Sequence, residues 1–152
     1  MSDEHISPAL RPLVSFIEEG IPFNKFLGIQ VKLLQENRCV LCVPFREEWI
    51  GDITRPALHG GLISTLIDTS SGAATFTRIE NAGDRVSTVD LRVDYLRPGL
   101  SEDLYADSSI VRMGNRVAVC RTEVYCGGCP ALGQTQLDLV ATGQAVFNVV
   151  RR

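Results

Sequence analysis

The sequence predicts an α+β domain in which an antiparallel sheet of about six strands wraps around one long central helix. Residues 56–77, PALHGGLISTLIDTSSGAATFT, hold one formal charge, Asp68, and no proline after Pro56, which suits a long buried helix. The strand-like runs come in pairs around short polar turns instead of alternating with helices, as antiparallel pairing requires. At 152 residues, with no internal repeat, the chain has enough material for one core and no room for a second. The expected organisation is an N-terminal helical segment, residues 1–21, followed by a single domain, residues 22–152.

Taken in order, Leu10, Leu13, Val14 and Ile17 fall at helical spacing, with Pro12 near the start and Gly20 after the last apolar residue. They predict a short amphipathic helix that covers the sheet or walls a pocket. PFNKFLG, residues 22–28, reads as a turn or short helix. Residues 29–34 and 38–45 read as strands joined by Gln35-Glu36-Asn37, and residues 46–58 as a loop. The central helix is expected from about His59 to Thr77, with Leu62, Ile63, Leu66 and Ile67 at helical spacing. Its flanks are Ser, Thr, Ala and Gly, so no face resembles a solvated one, and burial on most sides follows. The run is long enough to cross a bilayer, but eight Ser, Thr and Asp residues between Gly60 and Thr77 argue against that. After a polar turn at residues 80–85, a strand at 86–96 alternates, with Val89, Leu91, Val93 and Tyr95 on one face and Thr88, Asp90, Arg92 and Asp94 on the other. Residues 104–113 and 117–125 form another pair around Gly114-Asn115, residues 126–138 a long loop, and residues 139–149 the last strand.

A carboxylate in the middle of a buried helix needs a reason, because desolvating an unpaired charge is costly. Asp68 either accepts hydrogen bonds from neighbouring hydroxyls such as Ser64, or lines a cavity where it serves as base or nucleophile. His59 does not complete a dyad with it. Nine residues at 100° each leave the two on opposite faces, about 13 Å apart along the axis. A site between two copies of the chain resolves this, with the helix N-terminus of one facing Asp68 of the other. There the amides of Gly60 and Gly61 are donors at the positive end of the helix dipole, and glycine lets a substrate carbonyl approach.

The motif His59-Gly60-Gly61 with Asp68 nine positions after the histidine, then Thr88-Val89-Asp90-Leu91 and Tyr95-Leu96-Arg97-Pro98, resembles the hotdog-fold acyl-CoA thioesterases of the PaaI-like group. The likeness also takes in Pro22-Phe23, Leu27-Gly28-Ile29, Gly114-Asn115-Arg116, Leu139-Val140-Ala141 and Phe147, so it spans about residues 22–148. It implies hydrolysis of an acyl-CoA thioester to free acid and CoA by a homodimer or a dimer of dimers, up to a homotetramer. Asp68 is then the base or nucleophile and the Gly60 and Gly61 amides polarise the carbonyl. His59 shapes the helix entry, and Thr88 stands where relatives carry a Ser or Thr that orients the attacking water. Where relatives often carry an Asn six positions before the histidine, this chain has Ile53, with Asp52 or Thr54 the nearest substitutes. Arg97, at a strand end, and Arg116, beside a glycine turn, are the anchors expected for CoA phosphates. No cofactor is implied beyond coenzyme A as part of the substrate.

Composition narrows the other classes. A net charge of −3 with interspersed Arg and Asp leaves no footprint for nucleic acid. The acidic N-terminus is unlike a signal peptide, and five cysteines, an odd number, predict reduced thiols in the cytoplasm. Of the two C-x-x-C pairs, Cys39 and Cys42 lie on a strand and point to opposite faces, so no metal site is expected there. Cys126 and Cys129 sit in a turn without a partner pair. Two alternatives stay open: a non-catalytic acyl-CoA binder or sensor, which would not need an ionised Asp68, and an acyl-thioester dehydratase or hydratase, which would need His59 and a carboxylate close together.

Overall fold

A computed structural model describes residues 3–135 and 137–152; Met1 and Ser2 of the N-terminal segment and Gln136 of the long loop lie outside the described residues. The N-terminal segment is helical but not one helix. A turn at Pro8–Leu10 leads into α1 (Arg11–Ser15), which widens into a π-turn at Phe16–Gly20 before α2 (Pro22–Leu27). Ile21 is extended because it precedes Pro22, whose ring crowds a helical conformation there. Gly28, at φ 71°, closes α2 in the left-handed conformation that glycine adopts without strain.

The hairpin β1 (Gln30–Gln35) and β2 (Arg38–Val43) follows as expected. Within residues 46–58 a small ribbon forms that the sequence did not suggest, β3 (Ile50–Asp52) against β4 (Ala57–Leu58). Then come α3 (Gly60–Phe76), β5 (Arg85–Tyr95), β6 (Leu104–Met113), β7 (Val117–Cys126) and β8 (Asp138–Val150). Six strands make one antiparallel sheet in the order β1-β2-β6-β7-β8-β5, so the strand that follows the helix ends at an edge.

Leu62, Ile63, Leu66 and Ile67 of α3 are buried against Val31, Leu41, Ala106, Val124 and Val140 of the sheet. Each such side chain contributes about 1.5–3 kcal/mol of burial. A Cβ at Gly143 would lie 2.7 Å from Ile67 Cγ2, so only glycine there lets α3 approach β8 this closely. Beyond the aliphatic stripe the interface is polar. Ser71 Oγ is 2.9 Å from Thr122 Oγ1, Ser108 Oγ is 2.6 Å from Thr122 Oγ1, and Ser70 Oγ donates to the Ala106 carbonyl at 3.1 Å, all fully buried. The helix is thus buried on its sheet side, while Gly61, Ser64, Thr65, Asp68 and Gly72 remain partly or fully accessible.

The opposite face of the sheet has its own cluster, Leu33, Val40, Cys42, Tyr105, Tyr125 and Cys129, against which Ala131 and Leu132 pack. Cys39 belongs to the helix-side core and Cys42 to this outer one, so the pair does point to opposite faces. All five cysteines are free and buried, and burial pushes every thiol upward, Cys126 and Cys129 to about 11 and Cys42 to about 12.

One expectation for β5 is corrected. Thr88 pairs with Phe147 and Asp90 with Val146, so Val89 is an extra residue, a β-bulge. The bulge reverses the alternation, and Thr88 shares the helix-side face with Leu91, Val93 and Tyr95 instead of opposing them. Val89, which the pattern assigned to the buried face, is 61% exposed.

Candidate active site

The helix N-terminus is held from three sides. His59 is the N-cap of α3: its backbone N–H donates to the Trp49 carbonyl at 2.8 Å, and its Nδ1 accepts the Gly61 N–H at 2.8 Å. A Cβ at Gly61 would stand 2.8 Å from that Nδ1, so the glycine makes room for the imidazole to fold back. With Nδ1 accepting, a neutral His59 carries its proton on Nε2. From β5, Tyr95 donates its hydroxyl to the Gly60 carbonyl at 2.9 Å. The Gly61 amide is therefore occupied within the chain, whereas the Gly60 N–H has no acceptor among the described residues.

Two cavities adjoin His59. One, of about 490 Å³, is bordered by Gly60, Tyr95, Arg55 and Arg97. The other, of about 320 Å³, is bordered by Phe23, Phe26, Trp49 and Leu62. Arg46 stacks over Trp49 at 5.3 Å and donates to the Phe26 carbonyl, which fixes that aromatic wall.

Asp68 lines a third cavity, about 200 Å³, and is half-buried there. Its Oδ1 accepts the Thr88 hydroxyl at 2.7 Å, the contact that the bulge in β5 creates, while Oδ2 makes no hydrogen bond among the described residues. Ser64 takes no part; its hydroxyl donates to the Gly61 carbonyl. The structure thus brings Asp68 and Thr88 together, and His59 with Gly60 and Gly61, but keeps the two groups in separate cavities.

The remaining residues fall further out. Ile53 is 90% exposed, and Asp52 is engaged in its own turn, accepting from Thr54 and pairing with Arg55 at 2.8 Å, which lowers its carboxyl to about 2. Arg97 pairs with Asp138 at 3.1 Å. Arg116 lines a separate hollow with Arg151 and Asn148. Arg97 follows the end of β5 at Tyr95, whereas Arg116 lies near Val149, opposite the other end of that strand. Ten residues at 3.3 Å put these ends ~33 Å apart. Sequence reasoning missed Tyr95 as the anchor of the helix N-terminus; its place at the end of the apolar face Leu91, Val93, Tyr95 was the available signal.

A six-stranded antiparallel sheet around one helix is the architecture of the hotdog thioesterases. The chain belongs to that family: the profile described as Thioesterase superfamily matches residues 56–131. It is 36% identical over 117 residues to the medium/long-chain acyl-CoA thioesterase YigI of Escherichia coli (strain K12), covering 69% of this chain and 76% of that protein. Among solved structures, a protein related to the thioesterase superfamily from Shewanella oneidensis superposes with a TM-score of 0.75 at 26% identity, over 92% of this chain and 94% of that one. A thioesterase family protein from Silicibacter pomeroyi reaches a TM-score of 0.80 over 95% and 98% of the two chains; at 24% identity it speaks for the fold. The protein is a thioester hydrolase.

Proposed function

We propose that the chain hydrolyses fatty acyl-CoA thioesters in a site shared by two copies of itself. The observation that carries this reading is the Asp68 carboxylate, held by Thr88 in the lining of an apolar cavity with its Oδ2 uncommitted. The relative named as a medium/long-chain acyl-CoA thioesterase supports the choice of substrate.

The second copy follows from β5. This eleven-residue edge strand is exposed on most of its length and bonded only to β8 among the described strands, an edge suited to pairing with its own copy. Antiparallel pairing about a two-fold axis through Arg92, with the Val89 bulge taking up one residue, would set Thr88 of one chain across from Tyr95 of its partner on the helix-side face. Because Thr88 holds Asp68 and Tyr95 holds Gly60, the carboxylate of one chain then faces the free Gly60 amide of the other. The same rotation brings Arg116 of one chain toward Arg97 of its partner, giving CoA phosphates two guanidinium groups that one chain keeps apart.

In the reaction, the Gly60 N–H, with the Nε2–H of His59 beside it, binds the thioester oxygen where negative charge develops. Asp68 removes a proton from a water that attacks the carbonyl carbon; collapse of the tetrahedral oxyanion breaks the C–S bond, and the proton on Asp68 passes to the departing thiolate, releasing CoA and the free acid. The nucleophilic variant, attack by Oδ2 to give a mixed anhydride that water then opens, uses the same geometry. A single turnover in ¹⁸O-water separates the two routes, since only the anhydride route can leave label in Asp68. Five buried free thiols fit a reducing cytoplasm.

The test is hydrolysis of a panel of acyl-CoAs by wild type and Asp68→Asn, followed through loss of thioester ultraviolet absorbance. A loss of about 10² or more in a folded variant supports the mechanism. Equal turnover by both proteins would refute it.

A further inference from the structure

The Asp68 cavity is lined along α3 from the carboxylate to a pair of rings. Asp68, Gly72 and Phe76 follow one another at i, i+4 and i+8, so they line one side of the helix. Phe76 meets Phe16 of the N-terminal segment edge to face, with ring centroids 5.9 Å apart. The Phe16 ring is carried by the π-turn, and that turn is tied down on both sides. Ile17, 2% exposed, has its carbonyl bonded by Asn24 Nδ2 at 2.9 Å, and Glu18 accepts the Val31 N–H of β1 at 2.7 Å. A π-turn in a short helix is rare and often marks a functional position; here it delivers an aromatic ring to the lining of the cavity that the carboxylate also lines.

Resting on the hydrolase reading above, we infer that this N-terminal segment gauges acyl length: the Phe16–Phe76 pair ends the channel that starts at Asp68 and Thr88. Two magnitudes agree on what fits. Eight residues separate Asp68 from Phe76, about 12 Å of helix, and an extended alkyl chain of ~1.5 Å bonds advances ~1.25 Å per carbon, so about nine carbons span it. An apolar cavity of about 150 Å³ holds the six carbons of benzene, so about 200 Å³ holds about eight. Acyl groups of about eight to ten carbons fill the channel, and longer ones must displace the Phe16 ring.

The test reads binding separately from turnover. Affinities of saturated acyl-CoAs from butanoyl to hexadecanoyl are measured by calorimetry on Asp68→Asn, which keeps the walls. Affinity is expected to rise about fourfold per methylene and then level off near octanoyl to decanoyl. Adding Phe16→Ala moves that break to longer chains by two or more carbons. Adding Gly72→Ala moves it to shorter ones; a Cβ there would be 3.6 Å from Phe147, an ordinary contact, so this variant folds. In enzymes that retain Asp68, the optimum of kcat/KM shifts the same way. A break at the same length in all three proteins, no break up to hexadecanoyl, or no dependence on length would overturn the gauge. Shifted breaks in an enzyme that hydrolyses nothing would support the gauge and refute the hydrolase reading alone.

Discussion

Replacing Thr88 by Val keeps the shape and β propensity of the side chain and removes one atom's chemistry, the hydroxyl that donates to Asp68 Oδ1 at 2.7 Å. Hydrogen bonds to a charged group contribute about 1.5–3 kcal/mol when well shielded. Thr88 is exposed in the single chain and Asp68 half-buried, so the lower end applies, about 1–2 kcal/mol, or roughly a 5–30-fold loss in kcat. The assay is steady-state hydrolysis of octanoyl-CoA by wild type, Thr88→Val, Thr88→Ser and the double variant with Asp68→Asn. Thr88→Ser restores the donor and should return to within about twofold of wild type. On the Asp68→Asn background Thr88→Val should add almost nothing, because the group it orients is already gone. A Thr88→Val enzyme with wild-type kcat, or equal losses on both backgrounds, would refute the role given to the bulge in β5.

Gly143→Ala should cost about 2 kcal/mol by overpacking, since the new Cβ would lie 2.7 Å from Ile67 Cγ2 and 3.2 Å from the Arg92 carbonyl; a lower midpoint in urea unfolding checks it. His59→Ala removes the cap from the Gly61 amide and should lose about 1 kcal/mol, about 3 °C in Tm, whereas His59→Asn keeps a capping acceptor and should recover most of that stability without the Nε2–H. All five buried thiols have folded values above the ordinary thiol range. Their contribution to stability is therefore complete below about pH 9 and declines as pH rises toward the folded values, about 11 for Cys126 and Cys129 and about 12 for Cys42, by up to about 1.4 kcal/mol per thiol per pH unit. A Tm that is flat to pH 9 and falls beyond it is the expected profile, and replacing Cys126 by Ser should soften the fall.

Most of the architecture was legible because it rests on repeating patterns. The single charge in residues 56–77 identified the buried helix, and the strand-like runs between polar turns found all six sheet strands to within a residue or two at each end. Two features of the site escaped for opposite reasons. The bulge at Val89 is invisible in a sequence where Val89, Leu91, Val93 and Tyr95 alternate without a fault; only pairing with β8, which gives Val89 no partner, reveals it. The cap escaped because Ser, Thr, Asp and Asn are the usual N-caps, and an imidazole serves here only because Gly61 leaves space for it. The short helix ending at Gly20 was legible too, but periodicity registers which side is apolar and not whether the turns stay regular, so the widening at Phe16–Gly20 was not. By contrast, the separation of His59 from Asp68 followed from helix geometry alone and needed no side-chain detail.

The buried hydroxyls beneath α3 have a mechanical consequence. Aliphatic side chains resist being pulled away from a sheet but offer little resistance to sliding, because dispersion has no preferred direction. The Ser70, Ser71, Ser108 and Thr122 contacts are directional, and a slip of one residue would turn the helix by about 100° and leave them unmade. They act as the key in a shaft, setting the angle at which Asp68 faces outward. Substitutions that replace these hydroxyls with apolar groups of the same size could leave the protein fully folded and yet aim its carboxylate in the wrong direction.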